Sequence, residues 1–205
     1  MIHPTAIVED GVSIGSGTAL WDNVHIRRDV RIGRDCIVGE KSYLAPGVVV
    51  GDLVKINAFV YICSAVTIED GVMIAAGVIF TNDRFPRATT PDLREPRGSE
   101  IDEHTRPTLV RAGATIGAGA VVGCDLTVGR FAMVGMGSVV TKSVPDFALV
   151  VGNPARTMGY VCRCGEPFAR FGAGASAPRG EASCAHCGRS YRFAADHVVE
   201  AAPVA

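Results

Sequence analysis

From Ile2 to Phe80 every sixth residue is bulky and apolar: Ile2, Val8, Ile14, Leu20, Ile26, Ile32, Val38, Leu44, Val50, Ile56, Ile62, Ile68, Ile74 and Phe80. The series resumes after a polar interruption at Val110, Ile116, Val122, Val128, Val134 and Val140. A second series of smaller residues follows four positions behind, from Ala6 and Val12 through Cys36 and Ser42 to Val78, then from Ala114 to Val144. A period of six fits neither a helix nor a simple alternating strand. Held over this length it marks a β-helix, in which short strands coil and stack.

Each six-residue unit makes one strand and one corner, and three units make a triangular coil. The large residue fills the middle of a face and the smaller one packs beside the corner. Gly follows the large residue at Gly15, Gly33, Gly39, Gly51, Gly117, Gly123, Gly129 and Gly135, where the expected reason is the tight backbone of the corner. β-Branched Ile and Val suit the flat stacked interior.

Residues 81–109 break the ladder. Pro86, Pro91, Pro96 and Pro107 among many charges argue against a helix, so this stretch is expected to be a long loop extruded from one corner. Long loops on rigid scaffolds often carry function. Pro145-Asp146 ends the second ladder block. The expected division is a β-helix domain over 1–161, a small metal-binding module over 162–195 and a tail over 196–205. Gly/Ala/Ser-rich composition predicts flexibility from Ala169 to Ala182, and nothing after about Asp196 signals structure.

Formal net charge is −1, and no basic excess points to nucleic acid or an anionic membrane. No charged start leads into an apolar stretch, so no signal peptide is expected. No apolar run is long enough to span a bilayer. A cytoplasmic location is the default expectation.

Folded into coils of eighteen residues, the chain stacks His25, Tyr43, Tyr61 and Ile79 on the outside of one face. An apolar and aromatic outward stack is a candidate interface. Asn82 stands where the loop leaves the same face. Its amide accepts from an amine or donates to a carbonyl oxygen, or it merely caps the turn. Arg87 either pairs with a carboxylate or diphosphate or is a solvated loop residue. His25 is the general-base candidate, but it lies three coils from Asn82, roughly 14 Å along the axis.

Four of the seven cysteines gather near the C-terminus, in Cys162-Arg163-Cys164-Gly165 and Cys184-Ala185-His186-Cys187-Gly188. Two such knuckles fit a zinc ribbon with four thiolates. The first has one intervening residue where two is commoner, and His186 stands as a substitute ligand. Paired disulfides are the alternative.

Several segments together carry a family resemblance: the ladder, Leu20-Trp21 with His25-Ile26, Phe80-Thr81-Asn82, Pro86-Arg87-Ala88, Arg106-Pro107-Thr108, Gly113-Ala114-Thr115-Ile116-Gly117, and Val150-Val151-Gly152-Asn153-Pro154-Ala155-Arg156. They resemble the hexapeptide-repeat acyltransferases, and within them the N-acetyltransferases of nucleotide-linked 3-amino sugars, over about residues 2–161. The resemblance implies a left-handed parallel β-helix, a homotrimer with active sites between subunits, acetyl-CoA as cosubstrate and a UDP- or dTDP-linked amino sugar as acceptor. It places Asn82 beside the reacting amine. It also implies that a protein base is not always needed, the coenzyme sulfur taking the proton. Expected acceptor contacts are Arg87, Trp21, Tyr43 and Arg28. Backbone near Gly117, Ala118, Gly135 and Met136 is expected to hold the pantetheine arm, with Lys142 and Arg156 meeting phosphates. An O-acetyltransferase, in which His25 becomes essential, and a non-catalytic scaffold remain alternatives. A metal hydratase on the same fold needs three converging histidines. Only His3 and His25 lie in the ladder and His104 in the loop, which argues against it.

Overall fold

In the computed structural model the described residues are 1–98, 100–172, 179–194 and 197–201. They contain strands and turns and no helix. Short strands coil into three parallel sheets in which neighbours are eighteen residues apart, except across the loop, where the spacing is 42, and at the last coil, where it is 16. The first face stacks Ile7–Val8, His25–Ile26, Tyr43–Leu44, Tyr61–Ile62, Ile79–Phe80, Val121–Val122 and Val139–Val140. The second runs from Ser13–Ile14 to Leu126–Val128, and the third from Ala19–Leu20 to Ala148–Val151. The register holds throughout: His25 pairs with Tyr43 and Tyr43 with Tyr61.

The two ladders form the core. Leu20, Ile26, Val38, Leu44, Ile56, Ile62, Ile74, Val110, Ile116, Val122 and Val128 are all fully buried. The second series lies beside them, including Thr18, Ser42 and Ser138. These buried hydroxyls are satisfied by the next coil. Thr18 Oγ1 donates to Gly33 O and Ser42 Oγ to Asn57 O, while Ser138 Oγ accepts from Gly152 N, so no desolvation penalty is left unpaired. Only the first coil is open, with Ile2, Ile7 and Val8 exposed.

The glycines that follow the large residues serve a different purpose from the expected one. A Cβ on Gly15 would sit 2.5 Å from the carbonyl carbon of Gly33, and one on Gly33 2.5 Å from that of Gly51. These residues let successive coils approach, and their φ angles are ordinary. The left-handed corner positions lie elsewhere. At one corner they are occupied in turn by Asn23, Lys41, Phe59, Gly77, Gly119 and Gly137.

The loop leaves the first face after Phe80 and ends sooner than expected, because Thr108 and Leu109 already pair with Val66 and Thr67 in the second face. Its neck is zipped by Arg106 N donating to Asn82 O (2.7 Å) and by a bridge between Asp83 and Thr105. Inside it, Arg97 reaches both Asp83 (3.3 Å) and Asp102 (3.5 Å).

At the C-terminal end the third face turns antiparallel: Ala148–Val151 pairs with Arg156–Val161, which pairs with Pro167–Arg170. A separate three-stranded antiparallel sheet follows, of Gly180–Ser183, Ser190–Phe193 and Val198–Glu200. The flexibility expected from Ala169 to Ala182 therefore does not apply at either end of that stretch, where strands form. Residues 173–178 lie outside the described residues. Structure also extends beyond Asp196, since Val198 and Val199 pair with Phe193 and Arg192.

Candidate functional site

A cleft of about 610 Å³ opens at the corner between the first and second faces, under the extruded loop. The repeat stacks its wall from Arg28, Pro46, Ser64 and Asn82, each eighteen residues apart. Tyr43 and Tyr61 form the adjoining wall, their rings parallel with centroids 5.0 Å apart. The loop contributes Glu100 and Ile101 from the other side. Asn82 thus stands in this cleft with Arg28 and Tyr43.

Electrostatics at the early coils centre on Glu9. Its Oε1 accepts from His25 Nε2 (2.9 Å) and its Oε2 from the Arg28 backbone N–H (2.9 Å). Arg27 Nε lies 2.6 Å from Oε1 as an ion-pair contact without an aligned hydrogen bond. The Arg27 guanidinium, then His25 and the Arg28 N–H, hold the Glu9 carboxyl down at about 2. Arg27 Nη1 also donates to Tyr43 Oη (2.7 Å). His25 meets the Tyr43 ring edge-on at 5.5 Å and lies behind Tyr43, away from the cleft lining. Cys63 lines the cleft, but burial pushes its thiol up to about 12, so it is a neutral thiol at pH 7 and a poor nucleophile.

The other expected site residues fall elsewhere. Arg87 is exposed on the loop, its Nη1 donating to Pro86 O, and does not line the cleft. Trp21 lies along a different edge, between the third and first faces, in a groove of about 410 Å³ with Ile37, Gly39 and Asn57. Gly117, Ala118, Gly135 and Met136 belong to that same edge. Gly117 N and Gly135 N bond to Val134 O and Val150 O, and Met136 is 82% exposed. Lys142 and Arg156 share a hollow of about 210 Å³. Lys142 follows Val140 at the same corner at which Asn82 follows Phe80. The segment 152–155 crosses the end of the first face, with Val139 N donating to Gly152 O and Ala155 N to Val139 O, and carries Arg156 to that corner.

Glu9, Arg27, Ser64 and Glu100 belong to the cleft or its network and were not among the sequence candidates, and Tyr61, expected at an interface, also lines the cleft. The eighteen-residue register carries a signal for most of them. Glu9 stands one coil before Arg27, and Ser64 one coil before Asn82. Glu100 has no such address, because the loop is outside the repeat.

A second cluster stands at the C-terminal end. The sulfurs of Cys162, Cys164, Cys184 and Cys187 all lie within 4.8 Å of one another. Cys162 and Cys187 are 3.3 Å apart and Cys164 and Cys184 3.7 Å, well beyond the roughly 2.05 Å of a disulfide. Tetrahedral thiolates at about 2.3 Å from a zinc ion are separated by roughly 3.8 Å, so the donor set and spacing fit a metal held by four sulfurs. His186 is not among the gathered ligands. The cluster is tied to the last coil: buried Tyr191 donates to Cys162 Sγ (3.0 Å) and accepts from Arg163 N (3.0 Å). The Tyr191 ring stacks on Phe168 and meets Phe147 edge-on, and Phe147 stacks on Phe131.

Comparison with known proteins agrees with the repeat. A family model for the bacterial transferase hexapeptide (six repeats) matches residues 11–46, and one for the hexapeptide repeat of succinyl-transferase matches residues 29–64. Among curated relatives, a dTDP-3-amino-3,6-dideoxy-alpha-D-galactopyranose 3-N-acetyltransferase of Aneurinibacillus thermoaerophilus is 44% identical over 87 residues, which are 42% of this chain and 41% of the relative. A bifunctional protein GlmU of Heliobacterium modesticaldum is 31% identical over 182 residues, covering 74% of this chain and 36% of the relative. The chain thus spans less than half the length of either. Among solved structures, AntD, an N-acyltransferase from Bacillus cereus in complex with dTDP and 3-hydroxybutyryl-CoA, aligns with a TM-score of 0.55 at 18% identity, covering 80% of each chain. At that identity the likeness is one of fold. The molecule is a parallel β-helix with an aromatic-walled cleft at one edge, lined by two arginines and two carboxylates. Its early coils match the hexapeptide-repeat models over residues 11–64.

Proposed function

We propose that this chain is an acetyl-CoA-dependent N-acetyltransferase acting on the 3-amino group of a UDP- or dTDP-linked amino sugar. The observation that carries the reading is the cleft itself: Asn82 at the loop root, facing the same space as Arg28 and the Tyr43–Tyr61 wall. The similarity to a 3-N-acetyltransferase of a dTDP-linked amino sugar supports it.

The chemistry requires a neutral amine and a held thioester. The amine nitrogen attacks the carbonyl carbon, the C–N bond forms, the C–S bond breaks, and the proton shed by nitrogen ends on the departing sulfur. Asn82 accepts from the amine and fixes its direction of attack, which supplies rate by orientation. His25 stands behind Tyr43 in its own chain, which supports transfer of the proton to sulfur without a protein base. Lys142 and Arg156 pair with the coenzyme phosphates.

The two sets of coenzyme candidates occupy neighbouring edges of the β-helix. In a homotrimer, one chain's cleft edge set against the next chain's Gly117–Gly135 edge unites them and brings Trp21 toward an active site. The outward Ile7, Tyr61 and Ile79, each more than two-fifths exposed, support burial of the first face between subunits. No helix among the described residues is long and apolar enough to cross a membrane. Acetyl-CoA and nucleotide sugars are cytoplasmic metabolites, and we place the reaction there. A zinc ion in the four-sulfur cluster has a structural role, since no open coordination position remains for chemistry.

Titration calorimetry with acetyl-CoA, then with UDP- and dTDP-linked 3-amino sugars, tests the reading. Binding of acetyl-CoA and of an amino sugar is the expected result. A chain that binds neither is a scaffold, and the assignment fails.

A further inference from the structure

Two arginines face the cleft, and they are committed differently. Arg27 is held by Glu9 and Tyr43. The neighbouring Arg28 uses its backbone N–H on Glu9 and sends its guanidinium into the cleft. Among the described residues it meets one partner there, Glu100 of the extruded loop, through a single contact from Nη2 to Oε2. The Glu100 side chain is 76% exposed and that of Arg28 43%, so water reaches both members of the pair. An ion pair of this kind contributes little. A guanidinium is built for two parallel bonds to one oxyanion, which this contact does not supply.

We propose that Arg28 is the anion anchor of the acceptor and that Glu100 is its resident competitor. The ligand chemistry is a carboxylate or phosphate oxyanion, either on the sugar or in the nucleoside diphosphate. When it binds, it takes the Arg28 guanidinium bidentately and Glu100 is released to water, freeing the 100–101 segment from the cleft mouth. The inference rests on the cleft being the acceptor site. It adds that the loop carries an internal carboxylate against which the acceptor must compete, so affinity is set as much by the loop as by the coil.

Equilibrium binding to the full chain tests this without requiring turnover. The probes are UDP, dTDP, UDP-glucuronate and UDP-glucose. Glu100→Gln is expected to tighten binding about two- to fivefold, the range available to an exposed pair. Arg28→Gln is expected to weaken it tenfold or more, and Glu100→Gln made in that background to bring no gain. Glu103→Gln, a loss of charge elsewhere on the same loop, should leave affinity unchanged. Tightening already seen with UDP or dTDP assigns the anchor to the diphosphate. Tightening confined to UDP-glucuronate assigns it to the sugar carboxylate. Equal affinity of Glu100→Gln and the parent for every probe, an equal gain from Glu103→Gln, or no binding of any probe overturns the proposal. Absence of acetyl transfer to any amino sugar, with the Glu100→Gln gain intact, would instead remove the reaction and keep the anchor.

Discussion

Asn82 gets its place from two neighbours. Phe80, buried in the core, fixes the end of the last strand before the loop, and Arg106 N ties down the Asn82 carbonyl. The side chain is therefore presented by a rigid root. Asn82→Ala is expected to lower turnover at least tenfold, in the range lost with a positioned polar group, while the melting temperature stays within about 2 °C. An unchanged rate would remove Asn82 from the mechanism. Glu9 carries a separate prediction. Its carboxyl is held at about 2 against an ordinary 4.5, so the folded state prefers it ionised. That preference contributes stability above about pH 4.5 and is lost as pH falls toward 2. Glu9→Gln should flatten the acid limb of a stability-against-pH curve between those values. A limb of unchanged slope would mean that the Glu9 pair is not maintained in solution.

At the scale of the coil, the same glycine type serves two ends. Gly33→Ala places a methyl 2.5 Å from the next coil's backbone, and overpacking of that sort costs about 1–3 kcal/mol. Gly119 has open space around its Cβ position but φ near +67°. Asn23 already occupies the equivalent position, so Gly119→Asn should be nearly neutral in a denaturant midpoint while Gly33→Ala is not. Equal loss from both would remove the distinction between close approach and left-handed backbone. This is also where the sequence was half legible. A six-residue ladder names most of the β-helix core, because burial there is set by local position, but not Phe147, Tyr160 or Tyr191, which are buried beyond it. It does not tell a glycine needed for stacking from one needed for its φ, since both fall at corners. Likewise Asn82 and Arg28 share an address that the register gives, whereas Glu100 reaches Arg28 through a loop with no period. The strand of Val198–Glu200 was invisible because three residues outside the repeat carry no period, although their partner Ser190–Phe193 is close in sequence.

At the scale of the molecule, the four-sulfur cluster closes the end of the β-helix. Tyr191 links Cys162 to Phe147 and, through it, to Phe131 of the preceding coil. Stacked coils need such caps, since the last rung otherwise exposes an apolar end. One metal ion per chain is expected by elemental analysis. Chelation should lower the melting temperature by about 5–10 °C, as removal of a few kcal/mol does in a chain of this size. A chain free of metal that melts no lower would leave the cluster as reduced thiols without a structural ion.

The central claim is that the cleft edge transfers acetyl groups to an amine. Release of free thiol from acetyl-CoA, followed with UDP- and dTDP-linked 3-amino sugars and their 3-hydroxyl analogues, tests it most directly. Turnover with an amino sugar and none with its hydroxyl analogue is the predicted result. Release with the hydroxyl analogue alone, or with none of them despite measurable acetyl-CoA binding, contradicts the assigned acceptor.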